Sequence, residues 1–359
     1  MKHSATKRYL IFFVTSLIIF IAEAVCASES LLQDPTFVRG YEVMSPLRDI
    51  YTDHSHSEAI HQLKDSNAKP VWRLVQWGSH KTIAKVTPEF IPDGGTRWSV
   101  VEKINNQSVL YKSVIINVIP YPVETAHLSP TLALELNALA EFNNIYLSNS
   151  DEYWPHLLMV QNIKTEKLAK YKSLNFSLDA HLLFDDKNIK DGYKKDLHAA
   201  RFIVSLLVRN TLSGDSFWLN IPVYDDRFAQ SPFGCQKCLS ADNCYTPQSL
   251  EDKGKWLCPF DGERWSKITE KQGTHRMLFR LPSTAITSDN VQNGQWAHYS
   301  VDLIPYIKAG IQAAQDQEKL RGFSPSLMFY NLGLFTMGWE ITGLNHAAME
   351  IKNLSLAGY

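Results

Sequence analysis

Apolar and polar residues alternate along most of this chain at the two-residue period of β-strands, and helical spacing is rare. Before residue 125 the runs Val71 to Trp77, Arg97 to Lys103 and Val109 to Val118 read as strands, separated by turn material such as Pro92-Asp93-Gly94-Gly95. From residue 151 onward eight more runs follow: Trp154 to Asn162, Leu174 to Phe184, His198 to Asn210, Phe217 to Tyr224, Arg276 to Leu281, Trp296 to Leu303, Leu327 to Glu340 and Ala347 to Leu356. In the third of these Phe202, Val204, Leu206 and Val208 alternate with Ile203 and Leu207, so both faces are apolar and the strand is central. The last changes phase near Asn353, since Ile351 and Leu354 share a face only across a bulge. One helix interrupts the pattern: Ile304, Ile307 and Ile311 are spaced by three and four, Pro305 sits in the first turn, and Gly322 is a candidate end. Leu132 to Phe142 fits both periods, with Leu132, Leu134 and Leu136 at strand spacing and Leu136 and Leu139 at helical spacing.

This pattern predicts a mostly β chain: a jelly-roll-like antiparallel sandwich with one crossover helix over residues 151–359, preceded by a smaller β-rich region over 28–150. The boundary at 149–152 is only a polar patch, so a core shared by both regions is the alternative.

The first 27 residues read as a signal peptide. Lys2, Lys7 and Arg8 precede an apolar run from Tyr9 to Ala22, and small residues at Ala22, Ala24 and Ala27 offer two cleavage points. The run is about 14 residues, short of the ~20 that span a bilayer as a helix. An uncleaved anchor is the alternative. Lipid attachment at Cys26 is disfavoured by Glu23 and Val25. The expectation is a secreted or periplasmic protein with no stable membrane insertion after cleavage.

Composition narrows the classes. With 36 basic and 37 acidic side chains there is no net field for nucleic acid or anionic lipid. Nine Trp, fifteen Tyr and seventeen Phe suit a β-rich core and also planar ligand faces. Cys235, Cys238, Cys244 and Cys258 lie in one loop-like stretch, where an oxidising compartment predicts two disulfides of open pairing; a zinc site is the alternative, weakened because Cys244 and Cys258 lack knuckle spacing. His54 and His56 have no third metal ligand nearby. Gly-x-Ser-x-Gly, phosphate-loop and His-Glu-x-x-His patterns are absent. Tyr306-Ile307-Lys308-Ala309-Gly310 is similar to a strand motif of jelly-roll alginate lyases, but here it falls on the helix and has no Gln-x-His partner.

The candidate chemistry consists of polar residues set in apolar strands. Pro222-Val223-Tyr224-Asp225-Asp226-Arg227 closes a strand with two carboxylates and a guanidinium, and neighbours on a strand point to opposite faces. His156 follows Trp154-Pro155, His198 precedes the most apolar strand, and Glu340 lies between Trp339 and Ile341. The ending Gly338-Trp339-Glu340-Ile341-Thr342-Gly343, followed by Ala347 to Leu356, resembles the closing strand pair of galactose-binding-like domains and related carbohydrate-binding modules. That resemblance, over roughly the last 200 residues, implies a sandwich that binds sugars or supports a neighbouring activity, sometimes with a structural calcium ion, and requires no other cofactor. The expected ligand contacts are Trp154, His156, Trp218, Asp225, Arg227 and Trp339, with Asp225, Asp226 and Glu340 as acid and base in the alternative of a polysaccharide-active hydrolase or lyase. A structural or adhesive surface protein is the second alternative.

Overall fold

A computed structural model describes residues 28–46, 56–63, 66–92, 94–118, 129–148, 154–163, 165–194, 197–226, 277–281, 286–287, 291, 294–316 and 324–359. The expected signal peptide, Cys26, Arg227 and the four cysteines lie outside these residues.

The chain forms a mostly antiparallel sandwich of two eight-stranded sheets. Sheet A runs β14 (Ala297–Asp302), β10 (Leu174–Lys187), β16 (Asn345–Gly358), β8 (Thr131–Asn137), β7 (Gln107–Asn117), β6 (Gly95–Ile104), β5 (Glu89–Phe90), with β1 (Glu29–Ser30) paired to the end of β16. Sheet B runs β13 (Met277–Arg280), β12 (Ser216–Asp225), β11 (Ala200–Asn210), β15 (Tyr330–Ile341), β9 (His156–Asn162), β4 (Trp72–Val75), β2 (Tyr41–Met44), β3 (Ser57–His61). Among the described residues, only β12 with β13 and β2 with β4 pair in parallel.

The expected division at residue 150 separates no cores. β8 pairs with β16 and β4 with β9, so both sheets contain strands from either side of it. One apolar cluster unites Tyr41, Trp72 and Trp98 with Phe202, Phe335 and Trp339 between the sheets. The eight strands described before residue 150 bury their apolar faces by joining the sheets of the later strands.

Local patterns explain the elements. Leu132 to Phe142 is both things its spacing allows: β8 ends at Asn137, whose side-chain oxygen accepts from the Ala140 N–H and caps the single-turn helix α1 (Ala138–Glu141). The phase change in β16 falls at Asn353, which has a left-handed φ of 52° beside a register shift against β10. Helix α2 (Ile304–Asp316) carries the chain from β14 in sheet A toward β15 in sheet B and packs on β12. A Cβ at Gly310 would lie 2.6 Å from the Phe217 ring, so the helix approaches that strand only because residue 310 has no side chain.

Candidate functional site

In antiparallel neighbours, directly opposed residues project from the same face of the sheet. The rung Leu157, Trp339, Phe202, Tyr224 crosses β9, β15, β11 and β12 and points into the core. The next rung therefore points outward, and it is charged: His156, Glu340, Arg201, Asp225. Arg201 Nη2 lies 3.0 Å from Glu340 Oε2, His156 Nε2 lies 3.7 Å from Glu340 Oε1, and Arg280 Nη2 from β13 lies 3.6 Å from Asp225 Oδ2. Charges of alternating sign thus run over four adjacent strands, Glu340, Arg201, Asp225 and Arg280, with His156 at the end of the row, each side chain mostly shielded from solvent at exposures of 3–16 %.

Further along the same face the rungs alternate in character. Leu158, Gly338, Ile203 and Pro222 form an apolar rung, and the next, about 13 Å from the charged rung at ~3.3 Å per residue, sets the polar Thr336, Ser205 and Asn220 between Val160 on β9 and Arg280 on β13. Asn220 Nδ2 donates to Ser205 Oγ at 3.0 Å. Leu207 and the half-buried Trp218 follow, about 20 Å from the charged rung. Met44, Val75, Leu158 and Val160 make a separate apolar cluster, with Trp77 and Leu334 packed against it.

His156 is fixed by its surroundings. Its ring stacks on Trp154 at 5.5 Å and meets Trp77 at 5.8 Å, and Nδ1 lies 2.8 Å from the Trp154 carbonyl. A carbonyl only accepts, so Nδ1 carries the proton. Burial lowers the imidazole pKa, opposed by the Glu340 charge, so His156 is neutral near pH 7 and turns Nε2 toward Glu340.

The site residues expected from the sequence divide accordingly. His156, Asp225, Glu340 and Trp218 share the outer face of sheet B. Trp339 does not: it is fully buried between the sheets, edge-on to Phe202 and Tyr224, and its Nε1 donates to the Leu134 carbonyl at 2.8 Å. Its role as a ligand contact is corrected to that of a core residue tying sheet B to sheet A. Replacing it with phenylalanine is expected to destabilise the fold by about 2–4 kcal/mol, from lost volume and the lost indole hydrogen bond; chemical denaturation measures this. Trp154 is also buried and acts by holding His156. Asp226 turns inward, where Oδ1 accepts from the Ala200 N–H and Oδ2 lies 2.7 Å from Lys187 Nζ, so it shares no cleft with Asp225. His198 is an interior residue, stacked on Tyr146 at 4.3 Å and bonded through both ring nitrogens. Tyr306 to Gly310 lie in α2, as their spacing requires. Among the described residues no cluster of three or more His, Cys, Asp or Glu is arranged to hold a metal ion. No helix among them is long and apolar enough to cross a membrane.

Arg201, Arg280, Ser205, Asn220 and Thr336 are the site residues that sequence reasoning missed. Their signal was available in part: each is a polar residue at an outward position of an otherwise apolar strand.

No protein-family model matches the sequence, and no curated protein matches it. Solved structures that resemble the fold include a family 12 xyloglucanase from Bacillus licheniformis in complex with ligand, with 10 % identity and a TM-score of 0.32 over 76 % of this chain and 96 % of that one. The xyloglucanase domain of NopAA from Sinorhizobium fredii, in complex with cellobiose, has 13 % identity and a TM-score of 0.32 over 77 % and 97 %. A family 11 xylanase from Neocallimastix patriciarum has 10 % identity and a TM-score of 0.29 over 80 % and 100 %. All three TM-scores lie below 0.5, and the likeness assigns neither a family nor an activity.

Proposed function

We propose that the protein binds a glycan along the outer face of sheet B. The observation that carries this is the succession of rungs over β15, β11 and β12 on that face: charged, apolar, polar (Thr336, Ser205, Asn220), then Leu207 with Trp218. A sugar chain presents hydroxyl rims and apolar C–H faces at a similar grain, and needs paired donors and acceptors beside flat apolar surfaces. Glu340 and Asp225 accept from hydroxyls, Arg201 and Arg280 donate, and Trp218 offers an indole face. In this reading residues 1–27 direct export, the mature protein works in the periplasm or outside the cell, and Cys235, Cys238, Cys244 and Cys258 are oxidised in pairs.

A second reading, a polysaccharide hydrolase, has one observation in its favour: Glu340 and Asp225 sit on the same face two strands apart, about 10 Å between backbones at ~4.8 Å per strand. The Arg201 side chain in register between them makes binding the better account.

A glycan array and a reducing-sugar assay on the secreted protein separate these cases. Binding without turnover is expected, and Glu340→Gln and Arg201→Met should each weaken it about tenfold to a hundredfold, the worth of a charge-assisted hydrogen bond, while Lys352→Ala on the outer face of sheet A leaves it unchanged. Turnover abolished by Glu340→Gln or Asp225→Asn establishes the hydrolase. Neither binding nor cleavage refutes both and leaves a structural surface protein.

A further inference from the structure

Behind the charged rung, at the end of the sandwich, a polar junction joins the two sheets. Sheet A contributes Asp185 and Lys187 from β10 and Asn345 from β16; sheet B contributes Tyr224, with Asp226 just beyond the end of β12. One amide links two carboxylates: Asn345 Nδ2 donates to Asp185 Oδ1 at 2.8 Å and to Asp226 Oδ2 at 3.1 Å. The Tyr224 hydroxyl donates to Asp185 Oδ2 at 2.6 Å. Lys187 Nζ lies 2.7 Å from Asp226 Oδ2, donates to the Tyr193 hydroxyl at 2.8 Å, and sits 4.7 Å from that ring's centre. The groups that bear on the pair are therefore Lys187 from β10, Tyr193 from the loop after it, Asn345 from β16, and Tyr224 and Asp225 from β12. Asp186 and His346, opposed in register, point to the other face of sheet A. Two carboxylates thus share one ammonium among the described residues, in a largely dry setting.

We infer that this junction is a proton-operated clasp between the sheets, which tightens when the Asp185–Asp226 pair takes up one proton and loosens when that proton leaves. Like charges held together by a single amide repel, and protonating one removes the repulsion while adding a donor. Burial, followed by the Asp226 charge, pushes Asp185 up to about 6 from an ordinary 3.8, and burial raises Asp226 as well. The sign is then fixed. As pH falls through about 6 the folded protein binds a proton that the unfolded chain does not bind until about 3.8, so stability from this group rises over that window and is lost again on going alkaline. Because Asp226 Oδ1 accepts from the Ala200 N–H, the clasp also acts on the backbone next to Arg201, whether or not the outer face holds a glycan.

The test compares the full secreted protein with its Asp185→Asn variant in urea unfolding between pH 7.5 and 4.5. The folding constant of the wild type, relative to the variant, should rise about thirtyfold between pH 7.5 and 4.5, approaching tenfold for each pH unit below 6. On the wild type alone, carbon-13 carboxyl NMR should show Asp185 titrating near pH 6, and exchange of the Ala200 amide, corrected for its intrinsic pH dependence, should slow below that point. A pH-independent ratio, or an Asp185 carboxyl that titrates near 4, overturns the clasp; the NMR readout decides the matter even if the variant fails to fold.

Discussion

Replacing Gly338 with alanine is expected to destabilise the protein by at least about 4 kcal/mol, or to keep it from accumulating in soluble form. Gly338 lies mid-strand in β15 with φ of 142°, a left-handed conformation that L side chains rarely adopt. An added Cβ would lie 2.1 Å from the Leu157 carbonyl oxygen and 3.0 Å from the Leu158 Cα. Those atoms are backbone of β9, so no rotamer change relieves the clash. The strand would have to move, and with it the pairing that sets Glu340 opposite His156. Urea unfolding of Gly338→Ala measures the cost; a change below about 1 kcal/mol would mean that the β9–β15 spacing is not as tight as described.

The second large effect is electrostatic. Lys112 occupies an inward position of β7, in register with Leu136, and its ammonium is fully buried 2.8 Å from Glu141 Oε1 in α1. The ammonium also donates to the Lys81 carbonyl, and Glu141 Oε2 accepts from the His80 N–H. Burial lowers the Lys112 pKa and the Glu141 charge opposes that shift. Lys112→Met keeps much of the volume but leaves a carboxylate uncompensated in the interior, and it is expected to cost about 3–5 kcal/mol. The double variant Lys112→Met, Glu141→Leu should recover a large part of the loss, because the desolvation cost of both charges disappears with them. A double-mutant cycle in denaturant measures the coupling; equal losses for single and double variants would show that the pair acts only through its bonds to the 80–81 backbone.

These two sites show what was legible in the chain and what was not. The two-residue period located most strands, placed β11 centrally in sheet B, and found the bulge at Asn353, since strand parity is a local property written directly into the side chains. Parity does not name partners. The pairing of β8 with β16 and of β4 with β9 joins segments far apart in sequence, so nothing local to residue 150 reveals that both sheets cross it. Nor does parity say which face of a doubly apolar strand is inside. Trp339 and Glu340 are neighbours, and only the register against Phe202 and Arg201 shows that the indole enters the core while the carboxylate joins the outer rung. Arg201 and Arg280 acquire meaning for the same reason, through partners contributed by other strands. His156, Asp225 and Glu340 could be singled out as polar residues in apolar company. Their assembly into one alternating row is a property of the sheet.

Amide chemical-shift mapping of the protein with a glycan selected on the array decides whether the outer face of sheet B holds the ligand, as proposed. Perturbations are expected to concentrate at Glu340, Arg201, Asn220 and Trp218, with Ser177, Asp179 and Ser355 on the outer face of sheet A unmoved. Perturbations confined to sheet A, with the charged rung silent under saturating glycan, would contradict it.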